Sequence, residues 1–149
     1  MRRDGFLVST DPRLLDLDAV HAYLSQRSYW AAGISRERLA LAIEHSLPFG
    51  VYDGDRQAGF TRVITDFVTY AYLADVYIDE AYRGRGLSKL LLAAVLAHPR
   101  LQRLRRWLLG TRDAHGLYAQ FGFTPLEEPE RWMELPDPDA YAATTTSAS

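Results

Sequence analysis

Cysteine, net charge and long apolar runs are all scarce or missing in this sequence. It contains no cysteine, so disulfides, thiolate nucleophiles and cysteine metal sites are excluded. Seventeen basic side chains stand against nineteen acidic ones, which leaves no sign of the basic surface expected of a nucleic-acid-binding protein. No stretch approaches the roughly 20 apolar residues of a membrane-spanning helix. We therefore predict neither a nucleic-acid partner nor a membrane partner.

Targeting and metal-binding signals are also scarce. The charged N-terminus leads into no long apolar run of the kind found in a signal peptide, so we expect a cytoplasmic protein. The four histidines lack the spacing of metal ligands, and we predict no metal site. With 149 residues, 48% of them hydrophobic, the chain has the size and composition of one globular domain. We predict this domain over residues 1–136 and a flexible tail over residues 137–149.

Hydrophobic periodicity predicts the element order β-α-α-β-β-β-α-β-α-β. Asp16 or Asp18 can begin the first helix and Ser35 the second, while Asp53-Gly54 suits a tight hairpin turn. The predicted strands lie at 6–9, 49–52, 58–64, 69–78, 106–109 and 132–135, and the later helices at 87–98 and 114–121. This order predicts an α/β (α+β) fold with a mixed, mostly antiparallel sheet.

A glycine-rich turn separates the longest predicted strand from the helix after it. Glycine allows close approach of the backbone and positive φ, and the start of a helix presents unpaired N–H groups to an anion. Arg83, Arg85 and Lys89 add cations that suit phosphate groups. The turn reads Arg83-Gly84-Arg85-Gly86-Leu87-Ser88.

Three kinds of phosphate-binding turn and one ordinary turn compete as interpretations of this segment. A P-loop is disfavoured, because no Gly-Lys-Ser/Thr closes the turn. A dinucleotide-binding turn needs a third glycine, and this chain has Lys89 in that place. A compact pyrophosphate cradle remains, and its alternative is an ordinary strand-to-helix turn whose arginines are merely solvated.

Residues 76–88 resemble the cofactor motif of the GNAT (Gcn5-related N-acetyltransferase) superfamily. That motif is Gln/Arg-x-x-Gly-x-Gly/Ala, met here by Arg83, Gly86 and, imperfectly, Ser88. Residues 117–123 are similar to a second marker of the superfamily, a tyrosine shortly before Gly-Phe, which is Tyr118 here. The two markers lie in the expected order along the chain. Thr111 stands where many members carry an asparagine, so we do not transfer that residue's role.

The resemblance implies a GNAT-like twisted sheet flanked by helices, in which the strand before the turn splays from its neighbour. Acetyl-CoA would lie in the gap, with its diphosphate on the turn and its pantetheine arm along the strand. Main-chain N–H groups there would stabilise the oxyanion, a contribution of about 10²–10³ in rate. The cofactor-binding residues implied are Val76, Tyr77, Ile78, Arg83, Gly84, Arg85, Gly86, Leu87, Ser88 and Lys89.

Two residues are candidates for proton transfer. The resemblance implies that Tyr118 protonates the coenzyme A thiolate, which suits a phenol with an ordinary pKa of about 10; alternatively it only packs its helix onto the sheet. Asp75 is the acid nearest the cradle on the strand, and simple alternation puts it on the face of Leu73 and Tyr77. It either takes the proton of the acceptor amine or makes a structural hydrogen bond within the sheet.

The activity implied by the resemblance is transfer of an acetyl group from acetyl-CoA to a primary amine of a small molecule or peptide. Transfer would occur by direct attack in a ternary complex. The alternatives are an inactive CoA-binding regulatory module of the same fold and a domain that binds no acyl-CoA. A homodimer is common for similar folds. Tyr29, Trp30 and Trp132 are expected to border the acceptor pocket, where aromatic rings suit a cationic amine, unless they are core residues.

Overall fold

A sheet of six strands forms the centre of the protein in the computed structural model, which describes residues 1–142. The strands lie side by side in chain order, antiparallel throughout except for the parallel pair β5 and β6. This arrangement confirms the predicted mixed, mostly antiparallel α/β fold. The strands are β1 (Arg2–Arg3), β2 (Phe6–Ser9), β3 (Leu47–Asp53), β4 (Arg56–Thr65), β5 (Tyr70–Ile78) and β6 (Arg106–Leu108).

The helices begin where the sequence places their caps. The Asp16 carboxylate accepts a hydrogen bond from the Ala19 amide at 3.0 Å, and the Ser35 hydroxyl accepts one from the Arg38 amide at 3.2 Å. Each satisfies an N–H group that the first helical turn leaves unpaired. The helices are α1 (Leu17–Arg27), α2 (Arg36–Glu44), α3 (Leu87–Ala97) and α4 (His115–Ala119).

Two apolar clusters cover the two faces of the sheet. On one face, Leu91 of α3 is fully buried in a cluster that includes Leu73 of β5. On the other face, Leu24 of α1 and Leu39 of α2 are fully buried against Phe60 of β4. The middle strands are therefore buried on both sides.

Strand β1 is an addition that the sequence analysis missed. Arg2–Arg3 pairs with Phe6–Ser9 across a turn at Asp4 and Gly5, whose φ angles are 52° and 84°. Two consecutive residues with positive φ are the geometry that Asp-Gly favours in a tight hairpin. The same dipeptide predicts the turn at Asp53-Gly54, so the signal was present in the sequence.

The predicted strand at residues 132–135 is wrong. The described chain has only a short 3-10 turn, Pro129–Arg131, before these residues and no strand over them. The Met133 and Leu135 side chains are 97% and 100% exposed, so their apolar character finds no surface to pack against. Trp132 instead stacks against the Arg106 guanidinium, 4.8 Å from its ring centroid.

The tail predicted from residue 137 stays a prediction, and residues 143–149 lie outside the described residues. Within the described part, the Arg38 side chain donates to the Ala140 carbonyl at 2.7 Å and lies over the Tyr141 ring. None of the helices in residues 1–142 combines the length and the apolar character that crossing a membrane requires.

We predict that Gly59→Ala destabilises the protein by about 1–3 kcal/mol, because the added methyl group overpacks the contact between β4 and β5. A Cβ at Gly59 would lie 2.6 Å from Cδ1 of Ile78 and 2.8 Å from the Tyr77 carbonyl oxygen. Urea denaturation measures the loss. Gly116→Ala is the control, since a Cβ there meets nothing within 4 Å and α4 should keep or gain stability. Equal losses in both variants would contradict the overpacking argument.

Candidate functional site

The glycine turn between β5 and α3 has the backbone geometry of an anion site. Gly84 and Gly86 have φ angles of 81° and 73°, in the left-handed region that favours glycine. Gly86 is the N-cap of α3 and supplies no capping side chain. The first amides of α3, on Leu87 and its successors, therefore have no partner within the helix and point toward the turn.

A cavity of about 190 Å³ lies beside this turn. Its lining residues come from the glycine turn, from the end of β5 and from Leu117 of α4. Both sequence motifs, residues 76–88 and residues 117–123, therefore contribute to the same cavity. Ile78, the glycines and the start of α3, which the resemblance assigns to cofactor binding, are all present there. The lining residues are Ile78, Tyr82, Arg83, Gly84, Gly86, Leu87, Ser88, Lys89 and Leu117.

The arginines of the turn are engaged within the chain. Arg83 donates through Nε to the Ile78 carbonyl at 3.2 Å and through Nη2 to the Tyr23 hydroxyl at 2.8 Å. Arg85 lies over the Tyr82 ring, 5.4 Å from its centroid. In this arrangement Arg83 braces the end of β5 against α1, and its guanidinium is less available for phosphate than the sequence suggests.

Arg3 is a cation that the sequence analysis missed. Its guanidinium donates to the Gly86 carbonyl at 3.2 Å, which places it at the start of α3. It reaches the turn because β1 forms the edge of the sheet. The signal that could have found it is the Asp4-Gly5 turn, which brings β1 back beside β2.

The end of β5 has a free edge. Only Tyr70, Ala71 and Tyr72 pair with β6, so beyond Tyr72 the two strands separate. The Asp79 amide donates to the Ala58 carbonyl of β4 at 2.8 Å. By the alternation of an antiparallel ladder, the main-chain groups of Ile78 then point away from β4, toward the gap.

Tyr77 faces away from the gap. Its ring stacks on Tyr23 of α1, with centroids 3.9 Å apart and planes within 7°. Burial raises the pKa of its hydroxyl above the ordinary phenol range. By the alternation that frees Ile78, the main-chain groups of Tyr77 point toward β4, so neither its side chain nor its main chain faces the gap, and its role in cofactor binding stays a prediction.

A bulge at Asp75 breaks the alternation of β5, so the prediction that Asp75 shares one face with both Leu73 and Tyr77 is wrong. Phe60 pairs with Tyr77 and Arg62 with Ala74, which leaves one extra residue on β5 over this interval. Asp75 has a φ of 58°, a conformation that aspartate tolerates better than most residues. As a result Leu73 and Tyr77 belong to the clusters on opposite faces of the sheet.

Both carboxylate oxygens of Asp75 have partners. Oδ1 accepts from the indole Nε1 of Trp30 at 2.8 Å, and Oδ2 accepts from Nε of Arg62 at 2.5 Å. The Asp75 side chain is 8% exposed and that of Arg62 14%. The role of Asp75 as a base stays a prediction, and these contacts favour the alternative of a structural hydrogen bond.

Tyr118 lies in α4, next to the cavity-lining Leu117. It is 8% exposed, and its ring meets Phe123 edge-on, 6.0 Å between centroids. Burial, with smaller contributions from Tyr29 and Asp113, raises the pKa of its hydroxyl. A phenol held in its protonated form can serve as a proton donor at neutral pH.

Tyr29 and Trp30 form an aromatic loop between α1 and α2, and we use that name for these two residues below. Their rings meet edge-on at 5.1 Å. The Tyr29 hydroxyl accepts from the Arg112 amide at 3.0 Å, and the Arg112 guanidinium lies 3.9 Å from the Tyr29 ring centroid. Arg112 thus covers one face of the Tyr29 ring, which the sequence analysis expected to bind a cationic acceptor.

Comparison with known proteins fixes the family. The sequence matches the Acetyltransferase (GNAT) family over residues 17–123, a stretch that contains the cradle, the free edge of β5 and Tyr118. The chain belongs to the GNAT family. A relative from Gibberella zeae, named Putative acetyltransferase FG08082, is 36% identical, and the match covers 79% of this chain and 78% of the relative.

Solved structures agree with this assignment. A GNAT-family protein from Xanthomonas campestris pv. campestris is 50% identical, with a TM-score of 0.90 over 93% of this chain and 97% of the other. A structure from Deinococcus radiodurans R1, only 17% identical, has a TM-score of 0.73 over 98% and 99% of the two chains. The second similarity shows the fold alone. Within residues 1–142 of this GNAT protein, no group of three or more His, Asp or Glu side chains could hold a metal ion.

We predict that Gly86→Val removes the thermal stabilisation that coenzyme A gives to the wild-type protein. A ligand at 100 times its Kd should stabilise by about 2.7 kcal/mol, and a side chain at Gly86 would occupy the space in front of the α3 amides. Differential scanning fluorimetry with and without coenzyme A measures the shift.

Gly54→Val is the matched control for backbone strain. Gly54 also has a left-handed φ, 60°, and open space around it, but it lies in the β3–β4 turn. It should lose intrinsic stability as Gly86→Val does and yet keep the ligand-induced shift. A shift that survives in Gly86→Val would move the cofactor site elsewhere.

Proposed function

We propose that this protein transfers an acetyl group from acetyl-CoA to a primary amine of a small molecule or peptide. The observation that carries the proposal is the free edge of β5 ending at the α3 amides. A strand edge can pair with an extended ligand through main-chain hydrogen bonds, and a helix N-terminus binds phosphate. Acetyl-CoA has both parts, a diphosphate joined to an extended arm with two amides.

The cofactor residues take different roles in this proposal. Gly84, Gly86 and the amides of Leu87, Ser88 and Lys89 would hold the diphosphate. The main-chain groups of Val76 and Ile78 would bind the pantetheine arm at the gap, and their N–H groups can polarise the thioester carbonyl. Arg83 and Arg85 would support the turn through their contacts with Tyr23 and Tyr82.

The reaction is a direct displacement in a ternary complex. The amine nitrogen attacks the thioester carbonyl carbon, the new C–N bond forms and the C–S bond breaks. The amine nitrogen loses a proton, and the departing coenzyme A thiolate gains a proton from the Tyr118 hydroxyl. Solvent then returns a proton to the Tyr118 oxygen. A covalent enzyme intermediate is not proposed, since the chain has no cysteine and no serine within residues 1–142 is hydrogen-bonded to a base that could activate it.

The proton of the amine needs an acceptor. The sequence analysis offers Asp75 or a water relay. Because Trp30 and Arg62 occupy both oxygens of Asp75, the water relay is the better supported of the two. We also propose a cytoplasmic location, because acetyl-CoA is made and used inside the cell.

We predict that Tyr118→Phe lowers kcat by about 10²–10⁴-fold, the range typical of losing a general acid. The affinity for coenzyme A, measured by calorimetry, should stay unchanged. Wild-type and variant are compared by thiol release from acetyl-CoA with a panel of primary amines. Burial raises the pKa of the Tyr118 hydroxyl above the ordinary value of about 10. The hydroxyl should therefore keep its proton at every pH below about 10, and the wild-type rate should show no decline there that is due to its ionisation.

Tyr52→Phe is the control for removing a buried phenol hydroxyl. Tyr52 lies on β3, and within residues 1–142 its buried hydroxyl has no hydrogen-bond partner. Its loss should leave kcat unchanged. Equal rates for Tyr118→Phe and wild type would remove Tyr118 from the mechanism. Coenzyme A binding without turnover of any amine would instead support the inactive regulatory module.

A further inference from the structure

Asp75 connects the cofactor strand to the aromatic loop. Its Oδ1 accepts the Trp30 indole N–H at 2.8 Å, while Oδ2 holds Nε of Arg62 on the neighbouring strand at 2.5 Å. The carboxylate is 8% exposed, although the Trp30 ring itself is 40% exposed. A buried, charge-assisted pair therefore holds the end of a side chain that is otherwise accessible to solvent.

The backbone at Asp75 favours the same role. The residue stands at the bulge with a φ of 58°, and the bulge separates its side chain from the face of Leu73. Without that bulge, the carboxylate would share the face of Leu73, which packs on α3. With it, the carboxylate reaches the loop between α1 and α2.

The aromatic loop is held at its other end as well. The Tyr29 hydroxyl accepts the Arg112 amide at 3.0 Å, and Arg112 belongs to the segment between β6 and α4. The loop thus has one anchor on β5 and one beyond β6. These two strands are the ones that separate after Tyr72, so the loop spans the gap between them.

We propose that Asp75 is a positioning residue that holds Tyr29 and Trp30 across the gap and so limits which amines reach the thioester. This inference rests on the proposed acetyl transfer, and it gives Asp75 a role other than that of the base. A loop fixed at both ends selects acceptors by width, which favours slender primary amines over bulky ones. The Asp75 oxygens stay with Trp30 and Arg62 during the reaction.

The first test needs no turnover. The chain has three tryptophans, so the full-length protein should give three indole N–H signals in a ¹H–¹⁵N spectrum. Trp30→Phe deletes one signal and thereby assigns it. In Asp75→Asn that signal should shift while the signals of Trp107 and Trp132 stay in place. An unmoved Trp30 signal would overturn the connection.

The second test separates positioning from base catalysis. With slender and bulky amines of the panel compared, Trp30→Phe and Asp75→Asn should each lower the acceptor KM of the bulky amines by about tenfold or more relative to that of the slender ones. They should change kcat little and leave the pH profile unchanged. The double variant should show no larger change than Asp75→Asn alone, because both substitutions remove one interaction. Tyr52→Phe, which changes a buried aromatic side chain on β3 away from the loop, is the control and should change neither constant.

The opposite pattern overturns the proposal. A base role predicts that Asp75→Asn lowers kcat by about 10²–10⁴-fold and removes the acidic limb of the pH profile, while Trp30→Phe changes neither. If Asp75→Asn does not fold, Trp30→Phe still decides, since it replaces the indole and its N–H by a phenyl ring at a position that is 40% exposed. Absence of turnover with every amine would refute the proposed function, and the indole signals would still decide whether Asp75 holds the loop.

Discussion

The short pairing between β5 and β6 is the constraint on which the site depends. Only three of the nine residues of β5 pair with β6, so the rest of β5 has one hydrogen-bonded neighbour and one free edge. A free edge normally invites pairing with another chain. Here the glycine turn, α3 and Leu117 of α4 surround the end of that edge. An edge placed there can pair with an extended ligand through its main-chain groups.

Arginine side chains around the site mainly hold the protein together. Arg83 joins the end of β5 to α1, Arg62 is paired with Asp75, and Arg112 stacks on Tyr29. The groups left for an anion are the amides at the start of α3, with Lys89 beside them. A phosphate site built on main-chain amides needs no surplus of positive charge, which agrees with a net charge of −2.

Local signals predict most of the fold and the position of the cradle. Caps at Asp16 and Ser35, the Asp53-Gly54 turn and the glycine turn each depend on a few neighbouring residues, and sequence analysis found them. The bulge at Asp75 and the contacts of Arg83 depend on residues far away in the chain, so alternation and motif could not predict them. The failed strand at 132–135 shows the same limit, because β propensity becomes a strand only where a partner edge is available.

The arrangement at Asp75 bears on how an acceptor is chosen. Aromatic rings at Tyr29 and Trp30 suggest cation–π binding of an amine, but Arg112 already covers one ring face and the indole N–H of Trp30 is taken by Asp75. The aromatic loop is therefore better suited to set the width of the entrance than to attract charge. Its anchor, Asp75, lies on the strand whose edge would hold the thioester, so the carboxylate fixes the entrance for the acceptor relative to the strand that would bind the cofactor.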